Sequence, residues 1–343
     1  MKNKENKRAN RVIKDMKECF QSFHLPVKEA QSETNYPFRC DFLVEIDNDN
    51  VVATIMVKYD RYREVININI ANSFIIKPGR VNEVLKLLNM LNGTMPLYQC
   101  CTCPCCNELS IHASLHLTGN RLAKDKFKRF IRLLLEDTYI IYPLIARMLM
   151  AGGSPEDFYA RFMDNHKDLM DRGNKLTSEM EDKILEEVKL MFDDFDITIK
   201  DEDRVDDGYI MELVYQKNPE LFLRTATRLY SENEAVVISM APPFSVPDDK
   251  FDIILELVNR INRVCSTDHM YISGQSKKIV LLKGVMLNNG VIDKEELKIA
   301  FGTMLTNGFG LFPIINEQLT SDESPETLMR KLMACYLNNI TTH

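Results

Sequence analysis

Apolar residues recur at helical spacing in some segments of the chain and alternate with polar residues in others, and this pattern predicts the elements. An amphipathic helix is predicted near the N-terminus from the apolar positions Val12, Met16, Cys19, Phe20 and Phe23. Strict alternation in the segment Val65–Ile70 (VININI) predicts a half-buried strand. Downstream, the pattern predicts a helix over Val81–Leu91, a hairpin that ends in Leu109–Leu117, and a long apolar helix over about Ala123–Met150.

The same pattern returns after a shift of 170 residues, from Phe74 to Phe244. The segment Phe74–Asn92 (FIIKPGRVNEVLKLLNMLN) aligns without gaps with the segment Phe244–Asn262 (FSVPDDKFDIILELVNRIN). Pro143 aligns with Pro313 at the same shift. A repeat of this length is a domain rather than a solenoid unit of about 20–50 residues, so the sequence predicts a tandem duplication of one domain.

Each copy is predicted to have the element order α-β-β-β-α-β-β-α. Consecutive strands joined by tight turns favour an antiparallel sheet with helices packed on it, which is an α+β fold. The predicted domains are residues 1–164 and 179–343, joined by a polar linker over 165–178. The second closing helix is predicted over Lys294–Leu319, and the matched prolines are expected to bend or break both closing helices.

Both middle helices end in asparagines at the same spacing, Asn89 and Asn92 in the first copy and Asn259 and Asn262 in the second. With the element order and the hairpin that follows, this ending resembles the YbjN family, bacterial proteins described as sensory-transduction regulators with a fold similar to type III secretion chaperones. The resemblance implies a chaperone-like α+β fold, a protein partner and no enzymatic activity. Because type III chaperones work as homodimers, it also implies that the two copies could form an intrachain pseudo-dimer, or that the chain could form a homodimer. We interpret the asparagines as caps or helix-end hydrogen-bonding residues rather than ligand contacts.

Composition and charge exclude some classes of protein to which this sequence could belong. Apolar residues make up 45% of the 343 residues, charged residues make up 27%, and the formal net charge is -7 with both signs interspersed. This balance argues against a general nucleic-acid binder, which needs a basic face. No apolar signal segment follows the charged start, and the stretch Tyr139–Met150 is too short to span a bilayer. Nine cysteines without such a signal indicate reduced thiols, and we predict a cytoplasmic protein with no membrane partner.

The segment from Cys100 to Cys106 contains five cysteines in seven residues. If the hairpin turns near Pro104–Cys106 with a two-residue loop, Cys100 points into the core. The same geometry places Cys101 and Cys103 on the outward face, with Ser110 and His112. Thiolates at this spacing bind zinc or another soft metal. The candidate metal ligands are Cys101, Cys103, Cys105 and Cys106, and His112 could complete the cluster.

The second copy supplies an internal comparison, because it carries no cysteine at the corresponding positions. These are Met270, Tyr271, Ser273, Gln275 and Ser276. The fold therefore does not need the cysteines. Reduced thiols without a bound cofactor remain the alternative to a metal or redox site.

Searches for catalytic groupings find none. The sequence has no glycine-rich phosphate loop, His-Glu-x-x-His motif or nucleophile elbow, so we predict no enzyme and no catalytic residues. The six histidines are interpreted as surface residues, and the carboxylates Asp193–Asp196 and Asp201–Asp203 as solvated loop. The leading hypothesis is a protein-binding or chaperone-like regulatory module. The alternative is a metal- or redox-responsive regulator that uses the cysteines.

Overall fold

The structure is a computed structural model. It describes residues 2–29, 38–46, 49–118, 121–170, 176–195, 197–205, 208–218, 221–230, 235–265, 267–321 and 323–331. The first half contains α1 (Lys2–Gln21), β1 (Val27–Glu29), β2 (Phe38–Ile46), β3 (Asp49–Asp60), β4 (Val65–Ile75), α2 (Val81–Asn92), β5 (Tyr98–Thr102), β6 (Glu108–His116), α3 (Lys124–Ala151) and α4 (Pro155–Met170). The second half contains α5 (Ser178–Asp194), β7 (Thr198–Val205), β8 (Gly208–Asn218), β9 (Leu221–Tyr230), β10 (Ala235–Ala241), α6 (Phe251–Val264), β11 (His269–Ile272), β12 (Ile279–Met286) and α7 (Lys294–Thr320). A last helical stretch covers 325–331.

Each half builds one six-stranded sheet. The strand order is β1-β2-β3-β4-β6-β5 in the first sheet and, read from the corresponding end, β7-β8-β9-β10-β12-β11 in the second. Neighbouring strands are antiparallel in both sheets. The α+β class predicted from the sequence is therefore confirmed.

The two sheets also have the same register of strand pairing around β4 and β10. Ile68 of β4 lies opposite Ala113 of β6, and Ile238 of β10 lies opposite Lys283 of β12. On its other side, Ile68 faces Val57, as Ile238 faces Thr227. Each residue of the first set precedes its counterpart by 170 residues, which is the shift found in the sequence.

Four strands precede the middle helix in each half, where the pattern predicted three. The additional edge strand is β1 in the first half and β7 in the second. β1 has only three residues, too few to show a period. β7 has the sequence TIKDEDRV, and its charges led to Asp201–Asp203 being interpreted as loop. That interpretation was wrong, because an edge strand accommodates charged side chains on its exposed side. Asp196 lies outside the described residues.

The closing helices have nearly the predicted bounds, and both continue through their prolines at Pro143 and Pro313. α3 packs on its sheet, and the Tyr142 hydroxyl donates a hydrogen bond to the Ile70 carbonyl oxygen. By length and composition α7 could cross a membrane, but half of that apolar stretch is buried inside the protein. Burial of this kind is also found in the core helix of a soluble domain.

The polar stretch predicted as a linker is partly helical. α4 continues to Met170 and α5 begins at Ser178, after its N-cap Thr177. Residues 171–175 lie outside the described residues. The described parts of 165–178 therefore belong mostly to the two flanking helices.

One apolar core lies in each half, and each reaches into the other. Phe20 packs edge-on against Phe127 in the first core, and Phe192 packs edge-on against Phe301 in the second. Met286 of the second half belongs to the first core, and Leu85 of the first half belongs to the second. The halves therefore share apolar packing rather than being joined only through the chain.

A buried ion pair joins equivalent positions of the two closing helices. Lys126 of α3 binds Glu296 of α7, and both side chains are 6% exposed. Burial raises the pKa of the Glu296 carboxyl, and the nearby Lys126 opposes that shift. Removing one member leaves a charge in a poorly solvated site, which is costlier than replacing both.

We expect Lys126→Met to lower the free energy of unfolding by about 3–5 kcal/mol. The double variant Lys126→Met with Glu296→Leu should recover most of that loss. Urea unfolding at neutral pH measures both effects. Lys298→Met, which breaks the exposed pair with Asp194, serves as the control and should cost less than about 1 kcal/mol. A double variant as unstable as the sum of its singles would contradict the assignment.

Candidate functional site

The asparagines at the ends of α2 and α6 are buried and fully hydrogen-bonded. Within the first half, Asn92 Nδ2 donates to the Cys100 carbonyl oxygen at 2.9 Å, and Cys100 N donates to Asn92 Oδ1 at 2.7 Å. Asn262 and Met270 repeat this pair of bonds in the second half, at 2.8 and 2.7 Å. The second asparagine of each motif therefore binds the edge strand of its own half, as a neighbouring strand would.

The first asparagine of each motif reaches across to the other half. Asn89 Nδ2 donates to the Ile272 carbonyl oxygen at 2.8 Å and Asn89 Oδ1 accepts from Ile272 N at 2.7 Å. Asn259 makes the reciprocal contact, because its Oδ1 accepts from Thr102 N at 2.9 Å and its Nδ2 donates to the Thr102 carbonyl oxygen at 3.2 Å. The interpretation of these residues as helix-end hydrogen-bonding groups agrees with this geometry. That two of them join the halves was not predicted.

Gln99 and His269 extend this exchange from equivalent positions of β5 and β11. Gln99 Nε2 donates to the carbonyl oxygens of Asn262, at 2.7 Å, and of Cys265, at 2.6 Å. His269 Nε2 lies 3.0 Å from the carbonyl oxygen of Asn92, so the neutral ring that makes this bond carries its proton on Nε2. Each edge strand thus caps the end of the opposite middle helix.

Three histidines that were interpreted as surface residues are poorly solvated. They lie at or near the junction, which is the contact between the two halves made by α2, β5, α6 and β11. Burial lowers the pKa of His269 and of His112 to about 4. Burial, with Lys283 and Lys126 nearby, lowers the pKa of His116 to about 3. The sequence could not show this burial, because the covering surface belongs to the other half of the chain.

The cysteine-rich segment forms the end of the β5–β6 hairpin. The turn spans 103–107 rather than two residues, since Cys103 N donates to the Glu108 carbonyl oxygen and Asn107 N to the Cys103 carbonyl oxygen. Asn107 takes a left-handed backbone conformation with φ 56°, which asparagine tolerates better than most residues. The predicted two-residue loop was therefore wrong, although Cys100 lies in the core as expected.

Three of the four candidate metal ligands come together at this turn. The sulfur atoms of Cys103, Cys105 and Cys106 lie within 4.8 Å of one another, and Cys103 Sγ is 2.9 Å from Cys105 Sγ. Cys105 and Cys106 are exposed. Burial opposes ionisation of Cys103, but hydrogen bonds from the side chains and backbone of Cys105 and Cys106 outweigh it and lower the pKa of Cys103 to about 7.

Cys101 stands apart from that group. It faces Ser110 across the hairpin, with Sγ 3.4 Å from Ser110 Oγ, and burial raises its pKa to about 11. Ser110 Oγ also lies 3.1 Å from His112 Nε2 and 3.5 Å from Arg263 Nη1 of α6. The outward face predicted for Cys101 is thus covered by the second half, and neither Cys101 nor His112 belongs to the group of three converging sulfurs.

A cavity of about 300 Å³ lies where the segments after β6 and β12 meet. Its lining includes His116, Lys126, Asp293 and Glu296. His116 is 8% exposed, and neither ring nitrogen has a hydrogen-bond partner among the described residues. Because the lining carries both signs of charge, it does not specify a class of ligand. No motif in the sequence pointed to this cavity.

The comparisons with known proteins bear on the second half. Residues 185–315 match the sequence model of the YbjN family, described as "Putative bacterial sensory transduction regulator". Residues 185–315 are thus similar to the YbjN family. This match includes the asparagines of α6 and the strand β11, which supply one side of the junction. The resemblance stated from the sequence is confirmed for this half, while YbjN membership of residues 1–164 stays a prediction.

No curated protein matches the sequence. Among solved structures, the crystal structure of the di-domain ARO/CYC StfQ from the steffimycin biosynthetic pathway is 8% identical over 88% of each chain, with a TM-score of 0.15. A likeness at that level carries no argument about the fold or the activity of this chain.

We expect Asn259→Ala to lower the free energy of unfolding by about 2–4 kcal/mol, because it leaves the buried N–H and C=O of Thr102 without partners. Denaturant unfolding of the full chain measures this. The control is Asn82→Ala, which removes an exposed contact with Asp252 across the same junction and should cost less than about 1 kcal/mol. A loss for Asn259→Ala no larger than the control's would show that the reciprocal bonds contribute little.

His269→Gln should make the protein less sensitive to acid. Between pH 6.5 and about 4, the unfolded chain takes up a proton at His269 that the folded chain does not, so the free energy of unfolding falls by up to about 1.4 kcal/mol per pH unit from this residue. Above that range the ring is neutral in both states and contributes no pH dependence. Glutamine keeps a donor, as Gln99 does at the equivalent position.

The measurement is the free energy of unfolding at several pH values from 7 to 4, for the native chain and for His269→Gln. His24→Gln, at an exposed residue, is the control for replacing a histidine outside the junction. An equal slope for all three proteins would contradict the prediction.

Proposed function

We propose that this chain is a non-catalytic, protein-binding regulator in which two YbjN-like domains form a dimer-like unit within one chain. The observation that carries the proposal is the reciprocal exchange in which Asn89 binds Ile272 and Asn259 binds Thr102. In a symmetric dimer interface, a residue of one subunit and its equivalent in the other subunit make the same contact. Asn89 and Asn259 make such a pair of contacts with the strands of opposite halves. A tandem duplication accounts for such an interface inside a single chain.

A regulatory role is supported by the description of the family that residues 185–315 match. The equal strand order and register of the first half support extending the family to residues 1–164. A chaperone-like action on a protein client is the finer form of this proposal. It follows from the family resemblance, as does the absence of catalysis, and we place the protein in the cytoplasm because nine cysteines suit a reducing compartment.

The proposal is tested by affinity capture from the native cell under reducing conditions. We expect one protein to be enriched with the native chain and to bind the purified chain directly. Asn259→Ala should weaken that binding, because it loosens the arrangement of the two domains, while Asn82→Ala should not. Recovery of the free chain alone, at physiological concentration and from several growth conditions, would refute the proposal.

A second candidate function is regulation through the thiols of the 103–107 turn. The observation that favours it is the convergence of the sulfur atoms of Cys103, Cys105 and Cys106 at an exposed position. A bound metal or an oxidised pair of thiols at this turn would then change how the domains hold a partner. Measuring partner affinity before and after mild oxidation tests this candidate, and an unchanged affinity would count against oxidation as the signal.

A further inference from the structure

The thiol-bearing turn has a shape that does not depend on its cysteines. In the second half, Lys277 has φ 54°, as Asn107 has φ 56° in the first. Ser273 N and Lys277 N make the same two turn-closing hydrogen bonds as Cys103 N and Asn107 N. The backbone therefore forms this turn with either set of side chains, and the three thiols of the first half are an addition to it.

The arrangement of the sulfurs is that of a ligand set. Their mutual separation within 4.8 Å allows one ion to contact all three after small side-chain rotations. Two of the residues are exposed, so an ion can enter from solvent. The other described cysteines include the buried residues Cys19, Cys40, Cys100 and Cys101, and none of these belongs to the group.

We propose that Cys103, Cys105 and Cys106 bind one soft cation, with Cu(I) preferred, as a three-sulfur site. Each thiol releases its proton as its sulfur bonds to the metal, so no oxidant or reductant is required. Thiolates select Cu(I) and zinc over hard cations. Zinc favours four ligands, and Glu108 Oε2, which lies 3.9 Å from Cys106 Sγ, does not belong to the converging group. Three sulfurs alone suit Cu(I) better. The proposed site rests on the second candidate function and identifies the metal ion as the signal to which that function responds.

The position of the turn connects the metal to the domain junction. Thr102, whose N–H and C=O bind Asn259 of the other half, directly precedes Cys103. An ion held by the turn fixes the residues that follow Thr102 and should strengthen this pair of bonds. Metal binding at the turn therefore affects the junction of the two halves, on which partner binding depends.

The experiment titrates the reduced full chain anaerobically with Cu(I) in competition with a chromophoric Cu(I) chelator. We expect one tight site per chain. Cys103→Ser, Cys105→Ser and Cys106→Ser should each remove it, whereas Cys101→Ala should retain it. Glu108→Gln should weaken zinc binding, measured in a parallel titration, and leave Cu(I) binding unchanged.

A gain-of-function variant distinguishes loss of the metal site from loss of the fold. The triple substitution Ser273→Cys, Gln275→Cys and Ser276→Cys places the same thiols on the equivalent turn, and it should raise the stoichiometry from one to two. Hydrogen exchange at the Thr102 amide should slow when the native site is filled, and it should not respond to the engineered second site.

Absence of a tight Cu(I) site in the reduced native chain, or a site that survives Cys105→Ser, would overturn the inference. A site lost from the three cysteine variants and duplicated by the triple substitution supports it. These results are independent of partner binding. A chain that binds Cu(I) without any change in partner affinity would keep the metal site and refute only the regulatory role.

Discussion

The reciprocal hydrogen bonds of Asn89 and Asn259 are the interaction on which the architecture depends. β5 and β11 are edge strands, and an edge strand presents backbone groups that need partners once they are buried. Asparagine carries a donor NH₂ group and an acceptor oxygen side by side on a planar amide, which matches the C=O and N–H of a single residue. Each half therefore supplies hydrogen-bond partners for the edge strand of the other half. Separating the halves would leave Thr102 and Ile272 without their asparagine partners and would expose the apolar surface around Leu85 and Met286.

Much of this fold could be predicted from the sequence because it rests on local periodicity. The closing helices and the middle helices appeared close to their observed bounds, since apolar residues at helical spacing are a strong signal over many turns. β1 and β7 were missed for opposite reasons, one being too short to show a period and the other being charged along its length. Both are edge strands, where local sequence constrains the backbone least.

The candidate site was predictable only in its local part. That Cys100 enters the core follows from strand alternation, and so does the placement of Cys101 and Ser110 on one face of the hairpin. That Cys101 is covered by α6 depends on how the two halves meet. The same holds for His269 and for Lys126 with Glu296, whose partners lie in the opposite half. A pattern read along the chain identifies such residues as polar but cannot tell which surface buries them.

Equivalent positions of the two halves carry different chemistry at the junction, and this makes the halves complementary rather than interchangeable. Lys126 meets Glu296 and Asn82 meets Asp252, each pair being 170 residues apart. Two copies of the second half joined in the same way would place Glu296 against Glu296 and Asp252 against Asp252, and like charges in contact disfavour that assembly. Lys86, which lies 3.4 Å from Asp252, adds to the same preference.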